Sequence, residues 1–349
     1  MPALAAVALA LTWGTKPGTV VVVLVAVLLA GAVLASVHHA EVVAHRVGEP
    51  FGSLILAVAV TVIEVGLIVT LMVSGGDETA TLARDTVFAA AMITCNGIVG
   101  LALLVAALRQ HVVGFRAEGT SAALATVATL ATLTLVLPTF TTSTPGPRFS
   151  SAQLTFAAVA SLALYLLFVF VQTVRHRDYF LPDAADPAAP DAHADPPTDR
   201  QALASLAVLV VALVSVVGLA KIESSAIENA VDALGAPQSA VGVVIALLVL
   251  MPETLAAVRN AARGRVQISL NLAYGSAMAS IGLTIPTLAV ASIWLEPSLV
   301  LGLGPTELVL LAITVVVGAL SAPLGQTTVQ QSGIRLVLFA AFLFLAVFP

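Results

Sequence analysis

Two glutamates stand where the chain is otherwise apolar. Glu64 lies in Val60-Thr61-Val62-Ile63-Glu64-Val65, near the middle of a run at 50–73 that holds no other charge. Glu253 lies in Leu250-Met251-Pro252-Glu253-Thr254, in the later part of a second such run, 238–258. A charge inside a bilayer costs roughly 2.5–3.5 kcal/mol or more, so such residues face the protein interior and mark ion or proton paths. Neither run contains Lys or Arg, so each carboxylate must be neutralised by a proton or a bound cation. Carboxyl groups withdrawn from water favour their neutral form, which makes protons competitive occupants of the same oxygens. Two carboxylates with one divalent cation are neutral, and so are two carboxylates with two protons. The empty, doubly ionised pair is the state hardest to move through a low-dielectric interior. That penalty couples cation movement in one direction to proton movement in the other.

Hard cations suit this oxygen chemistry, and Ca²⁺ takes roughly 6–8 oxygen ligands. Two glutamates supply no more than about four, so other groups must contribute. The span after Glu64 carries Thr94, Cys95, Asn96 and Gly97, and the span after Glu253 carries Asn271, Gly275, Ser276 and Ser280. Asn96 is the stronger ligand candidate, because an amide in mid-span needs a partner. Pro252 removes a backbone donor beside Glu253 and frees an upstream carbonyl. Gly48, Pro50 and Gly52 open the first acidic span.

The elements that position these groups are membrane helices. The chain has 349 residues, 59% hydrophobic and 9% charged, with a mean hydropathy of +1.07. A soluble domain carries roughly 25% charged residues. One cysteine, Cys95, excludes a disulfide scaffold. Lys and Arg number 14 against 19 Asp and Glu, with no basic cluster, which argues against nucleic acid as a partner. Apolar runs long enough to span a bilayer lie at 17–37, 50–73, 84–108, 120–139, 151–172, 202–220, 238–258, 266–294, 303–320 and 334–348. A shorter run, 3–13, reads as an uncleaved extra first span. The runs do not alternate polar and apolar residues, which excludes a transmembrane β-barrel.

With eleven spans and the N-terminus inside, the inner loops hold ten Lys or Arg and the outer loops four. The inner set is Arg46, Arg109, Arg116, Arg175, Arg177, Arg200, Arg259, Arg263, Arg265 and Arg335. Residues 173–201, rich in Asp and Pro, read as a disordered acidic cytoplasmic linker. Five long spans lie on either side of it. Five is odd, so the second group sits with inverted topology, the pattern of an inverted-repeat secondary transporter. The expected fold is an all-α polytopic membrane protein of about eleven transmembrane helices, N-terminus inside. It comprises two inverted five-helix repeats plus one extra N-terminal helix.

The acidic segments also match a known pattern. Gly48-Glu49-Pro50-Phe51-Gly52-Ser53-Leu54 followed by Glu64 resembles the first α-repeat of the calcium/cation antiporter superfamily, cation/proton exchanger branch. Pro252-Glu253-Thr254, Val266-Gln267-Ile268-Ser269-Leu270, Gly275-Ser276-Ala277 and Pro286 resemble its second α-repeat. His39-Ala40-Glu41, Ala44-His45-Arg46 and Gly48-Glu49-Pro50 are similar to the bacterial ChaA-type sodium-calcium/proton antiporters. The resemblance covers nearly the whole chain and is most specific at the two repeats.

It implies an exporter of cytoplasmic cations driven by inward proton flow, multi-pass in the bacterial inner membrane and without a cofactor. The transported species would be Ca²⁺, or Na⁺ or K⁺, and H⁺. Glu64 and Glu253 would be the shared cation and proton ligands. Asn96 and Ser276 would complete the metal site, with Thr61, Asn271 and Pro252 as supporting or gating groups. Glu307 resembles a family glutamate near the start of the penultimate helix. The implied organisation is an extra helix at 1–16, a first repeat at 17–172 (α-repeat about 48–108), the linker at 173–201 and a second repeat at 202–349 (α-repeat about 235–294).

The family's Gly-Asn-Ala-x-Glu pattern is absent from both repeats. Thr61 stands at the Asn position of the first and Leu250 at that of the second, and Ala279 replaces a common Gln. Ser321-Ala322-Pro323-Leu324-Gly325-Gln326 stands where the family has a polar Asp/Asn-rich segment. Fewer side-chain oxygens leave Na⁺ and K⁺ open beside Ca²⁺. A membrane-embedded enzyme is the rival class, but no H-E-x-x-H, G-x-S-x-G or paired intramembrane Asp is present. A pure channel or receptor is a third, and no large receptor domain exists. The other titratable cluster, with His38, His39, Glu41, His45 and Glu49, reads as a cytoplasmic loop. His39, His45 and Glu49 are its candidate pH-sensing groups. The lipid bilayer, cations and protons are the implied partners, and nothing in the sequence specifies an oligomeric state.

Overall fold

Runs of Ala, Val and Leu in an apolar solvent must satisfy their backbone groups internally, and helices do so one segment at a time. In the computed structural model this produces a nearly all-helical bundle. The structure describes every residue except 16–17, 49–50, 76–78, 182–196, 234, 236 and 295–298. The helices are α1 (Pro2–Thr12), α2 (Thr19–Val47), α3 (Phe51–Gly75), α4 (Leu82–Gln110), α5 (Ala117–Phe140) and α6 (Ser151–Arg175). They continue with α7 (Asp199–Ala233), α8 (Ser239–Val249), α9 (Met251–Ala262), α10 (Val266–Ala291), α11 (Pro305–Ser321) and α12 (Val329–Val347).

Among the described residues, nine helices are long and apolar enough to cross a membrane. A tenth span is made by α8 and α9 together, bent by 51°. The expected eleventh does not reach that length. α1 has 11 residues, roughly 16 Å at 1.5 Å per residue, about half of a hydrocarbon core. It packs instead on α7 and α2, with Leu9 against Gly218.

α4 and α10 are the most enclosed spans, whereas α6, α11 and α12 have the smallest buried shares. Phe156, Leu167, Val309, Leu320, Val337 and Phe344 form part of that exposed apolar face, as expected where lipid is the solvent. α8 lies against the start of α4 so closely that a Cβ on Gly242 would stand 2.8 Å from the Thr86 amide nitrogen.

The linker side of the bundle is tied by polar contacts. Two short antiparallel strands, β1 (Val113–Gly114) and β2 (Gln326–Thr327), join the α4–α5 turn to the α11–α12 turn. Arg46 pairs with Asp199 at 2.6 Å. Three expectations need correction here. First, the expected linker begins folded: α6 runs to Arg175, a tight turn covers Arg177–Tyr179, and buried Phe180 sets its ring edge-on to Phe168 at 5.5 Å. Residues 182–196 lie outside the described residues. Second, His39 and His45 lie on α2, not in a loop, because the helix continues to Val47. It ends at Gly48 with φ +75°, a conformation glycine adopts without the Cβ penalty. Third, Arg335 is not a loop residue. It sits on α12 and is 2% exposed.

Candidate functional site

Glu64 lies on the inner face of α3 and is 3% exposed. Its carboxylate faces α10. The Ser280 hydroxyl donates to Glu64 Oε1 at 2.5 Å, and the Thr284 hydroxyl donates to Oε2 at 3.0 Å. The two donors are four residues apart, which places them one turn apart on one helix face. Hydrogen bonds of this kind, from hydroxyl to carboxylate, are among the strongest in proteins. Glu64 is therefore held by α10 alone through both oxygens.

Glu253 is positioned by a break. α8 ends at Val249, Leu250 is the junction, α9 begins at Met251, and buried Pro252 occupies the first turn of α9. Proline is favoured there because its missing N–H needs no partner. Glu253 follows in the same turn and is 6% exposed. The positive end of the α9 dipole favours negative charge at this point. Glu253 lines a cavity of about 150 Å³ with Asn271, Gly275 and Ser276 of α10, Gln172 of α6 and Leu56 of α3. The cavity thus lies towards the linker-side ends of α3, α6 and α10. Glu253 is also within electrostatic reach of Glu64 and of Glu41 on α2.

Seven buried side-chain oxygens lack a hydrogen-bond partner among the described residues: those of Thr86, Thr120, Glu223 and Tyr274, and, among the expected site residues, Thr61 Oγ1, Asn96 Oδ1 and Glu253 Oε2. Unpaired buried polar atoms are rare and require an explanation, such as an ion. Asn96 is fully buried in a π-turn of α4, Ile93–Ile98, and its Nδ2 donates to Thr314 Oγ1 of α11 at 2.9 Å. π-turns of this kind recur at functional sites. No group of three or more His, Cys, Asp or Glu that could hold a metal occurs among the described residues.

The structure separates some of the expected ligands. Ser276 faces the Glu253 cavity. Asn271 also lines it, but its amide is engaged: Nδ2 donates to the Phe180 carbonyl at 2.6 Å, and Oδ1 accepts from Gln267 at 2.8 Å. Thr61 borders a different cavity, with Val65, Val217, Leu283 and Thr287. His39 Nδ1 lies 3.3 Å from Ser205 Oγ of α7. His45 is exposed at the end of α2, and Glu49 lies outside the described residues. Glu307 stands in the first turn of α11 at the opposite end of the bundle, near the Arg84–Asp85 pair.

This arrangement can now be set beside known proteins. The model of the sodium/calcium exchanger protein family matches residues 17–174 and 204–348. The chain belongs to that family. Its members are membrane transporters, and so is this exchanger. It is 48% identical over 322 residues to the y4hA protein of Sinorhizobium fredii, whose name assigns it to ionic transport, covering 92% of this chain and 87% of that one. It is 34% identical over 347 residues to the sodium-potassium/proton antiporter ChaA of Escherichia coli, covering 98% and 93%. A solved structure of YfkE superimposes with a TM-score of 0.72 at 17% identity, covering 100% of this chain and 97% of that one. The H⁺/Ca²⁺ exchanger CAX superimposes with a TM-score of 0.71 at 15% identity, covering 98% and 85%. At these identities the two structures establish a shared fold.

Several residues that shape the exchanger's interior were not singled out as site residues from the sequence. Thr284 completes a stripe of hydroxyls at Ser276, Ser280 and Thr284, and the four-residue spacing is the signal that finds it. Thr314 has no such signal, since its partner Asn96 is 218 positions away. Arg335 donates to the Cys95 carbonyl at 2.9 Å and to Ser321 Oγ at 2.8 Å, deep in the bundle.

Proposed function

We propose that this exchanger is a secondary-active antiporter that exports cytoplasmic Ca²⁺ in exchange for H⁺ at a two-glutamate site. The observation that carries the reading is a pair of carboxylates, two of the three that are buried without a basic partner among the described residues, the third being Glu223 at the far end of α7. One, Glu64, is held by two hydroxyls; the other, Glu253, lines a cavity and keeps its Oε2 buried without a partner. The positive-inside count supports a cytoplasmic linker side, and with it a cytoplasmic Glu253 cavity; because α1 is too short to cross, the N-terminus then lies on the outer side. Two inverted five-helix repeats separated by the linker, with Glu64 in the first and Glu253 in the second, complete the arrangement. Asn96, Ser276 and Thr61 are the further oxygen ligands or gating groups, and Pro252 maintains the break that aims Glu253. The home of such a protein is the bacterial inner membrane.

A second reading carries Na⁺ or K⁺ through the same site. The name of the Escherichia coli relative favours it, as does the replacement of the family's Asn positions by Thr61 and Leu250. Charge separates the two. Two carboxylates are neutralised by one Ca²⁺ but require two monovalent ions, or one ion and one proton.

Proteoliposomes loaded with a pH-sensitive dye test both readings. Adding Ca²⁺, Na⁺ and K⁺ separately should elicit proton movement with the true substrate. Glu64→Gln and Glu253→Gln should each abolish it. Full cation-dependent proton flux in both variants would overturn the site assignment.

A further inference from the structure

Arg335 is a buried cation in a membrane-spanning helix, and no carboxylate pairs with it among the described residues. A charge there is expensive and needs a physical reason. The reason lies in the backbone of α4. In a regular helix the Val99 N–H would bond to the Cys95 carbonyl, four residues earlier. In the π-turn it reaches Thr94 and Asn96 oxygens instead. The Cys95 carbonyl has lost its helical donor, and Arg335 Nη1 supplies a replacement at 2.9 Å. The other arm of the guanidinium reaches Ser321 Oγ at the end of α11, at 2.8 Å. Helix C-terminal ends favour positive charge.

The approach depends on small residues. A Cβ on Gly100 would stand 3.1 Å from the Arg335 Cβ, and one on Gly97 would stand 3.2 Å from the Phe339 ring. α12 can therefore lie directly on the π-turn and deliver the guanidinium to residue 95. The next residue is Asn96, whose Oδ1 is buried and unpaired and whose Nδ2 is anchored to Thr314. The π-turn also packs against α10, which carries the Glu64 hydroxyl partners.

We propose that Arg335 is a positioning residue of the transport site. By holding the Cys95 carbonyl out of the helical ladder it keeps the π-turn open, and the open turn aims the Asn96 amide oxygen. The role rests on the reading of Asn96 as a cation ligand. Arg335 touches no ion and acts through the backbone one residue away.

The test is a cycle of variants in proteoliposomes, using whichever of Ca²⁺, Na⁺ and K⁺ the wild type carries fastest. Arg335→Met should raise the apparent KM for that cation about tenfold, the effect of losing one charge-assisted hydrogen bond. Maximal rate should stay within about twofold. Arg335→Lys, which keeps the charge and one donor, should recover most of the affinity. In an Asn96→Ala background, Arg335→Met should add nothing, because the two act as one unit. An unchanged KM with only a lower rate, or independent effects in the double variant, would overturn the proposal.

Hydrogen exchange of the amides at 95–100 gives a readout that does not depend on transport. Exchange should rise in Arg335→Met and stay near wild type in Arg335→Lys. Unchanged exchange in Arg335→Met would refute the backbone contact itself. Raised exchange together with full transport in Glu64→Gln and Glu253→Gln would place the failure in the site reading instead. If Arg335→Met does not fold, Arg335→Lys carries the test: a KM raised a few-fold that does not change further on adding Asn96→Ala supports the proposal, and a wild-type KM sinks it.

Discussion

Removing the Ser280 hydroxyl should weaken cation binding more than removing any other hydroxyl on α10. Both Glu64 oxygens accept from that helix, Oε1 from Ser280 at 2.5 Å and Oε2 from Thr284 at 3.0 Å. The Ser280 contact is at the short end for a hydroxyl bonded to a carboxylate, so it is the stronger of the two. A hydrogen bond to a charged group contributes roughly 1.5–3 kcal/mol. At about 1.4 kcal/mol per tenfold, Ser280→Ala should raise the apparent KM about ten- to a hundredfold. Thr284→Val should produce a smaller rise, nearer the lower bound. The loss falls on the ionised carboxylate, the form that binds a cation, and spares the protonated form, which needs less support. Thr287→Val is the control, because the Thr287 hydroxyl bonds to the Leu283 carbonyl of its own helix. Initial rates of cation-dependent proton flux across a concentration series would read all three. A KM within twofold of wild type in Ser280→Ala, or a larger effect from Thr284→Val, would refute the reasoning.

Asn271→Ala should leave the cation KM within about twofold, since the amide is occupied by Phe180 and Gln267. It should increase hydrogen exchange at residues 176–181, whose fastening it removes; a large rise in KM would instead make Asn271 a ligand. Gly242→Ala should lower the thermal midpoint in detergent, because the new Cβ meets the Thr86 amide nitrogen at 2.8 Å. Overpacking of this kind costs roughly 1–3 kcal/mol, and an unchanged midpoint would show that α8 and α4 separate easily.

Glu64 and Glu253 could be read from the sequence because each interrupts a long uncharged run, and hydrocarbon makes a lone charge conspicuous. Their partners were harder to read. A threonine in a membrane helix usually bonds back to its own backbone, as Thr126, Thr129 and Thr287 do. Only its place four residues after Ser280 distinguishes Thr284, which bonds across to α3. The histidines were misplaced because the apolar run ends near residue 37, whereas the helix continues until Gly48 breaks it. The general expense of membrane charge predicts a loop position for Arg335. That expense is met by a bare carbonyl and a helix end contributed by segments 240 and 14 positions away, a non-local arrangement that no spacing reveals. The short first helix differs for a simpler reason: eleven apolar residues suffice to pack along α2 and α7 but not to cross a bilayer.

The two glutamates are chemically alike and structurally unlike, and that asymmetry gives the proposed exchange an order. Glu64 is already satisfied by α10, so a cation there must share oxygens that Ser280 and Thr284 occupy. Glu253 lines a cavity of about 150 Å³ and keeps one oxygen buried without a partner. In the proposed exchange, an ion entering from the linker side would meet Glu253 first. Both glutamates contact or line surfaces of α10, which carries Ser276, Ser280 and Thr284 in one stripe. Moving from the first carboxylate to the second is then movement along a row of hydroxyls one turn apart. The same row can orient a proton on either glutamate, because a hydroxyl donates to a carboxylate and accepts from a carboxylic acid. In the proposed exchange one helix face would thus serve both occupants in turn.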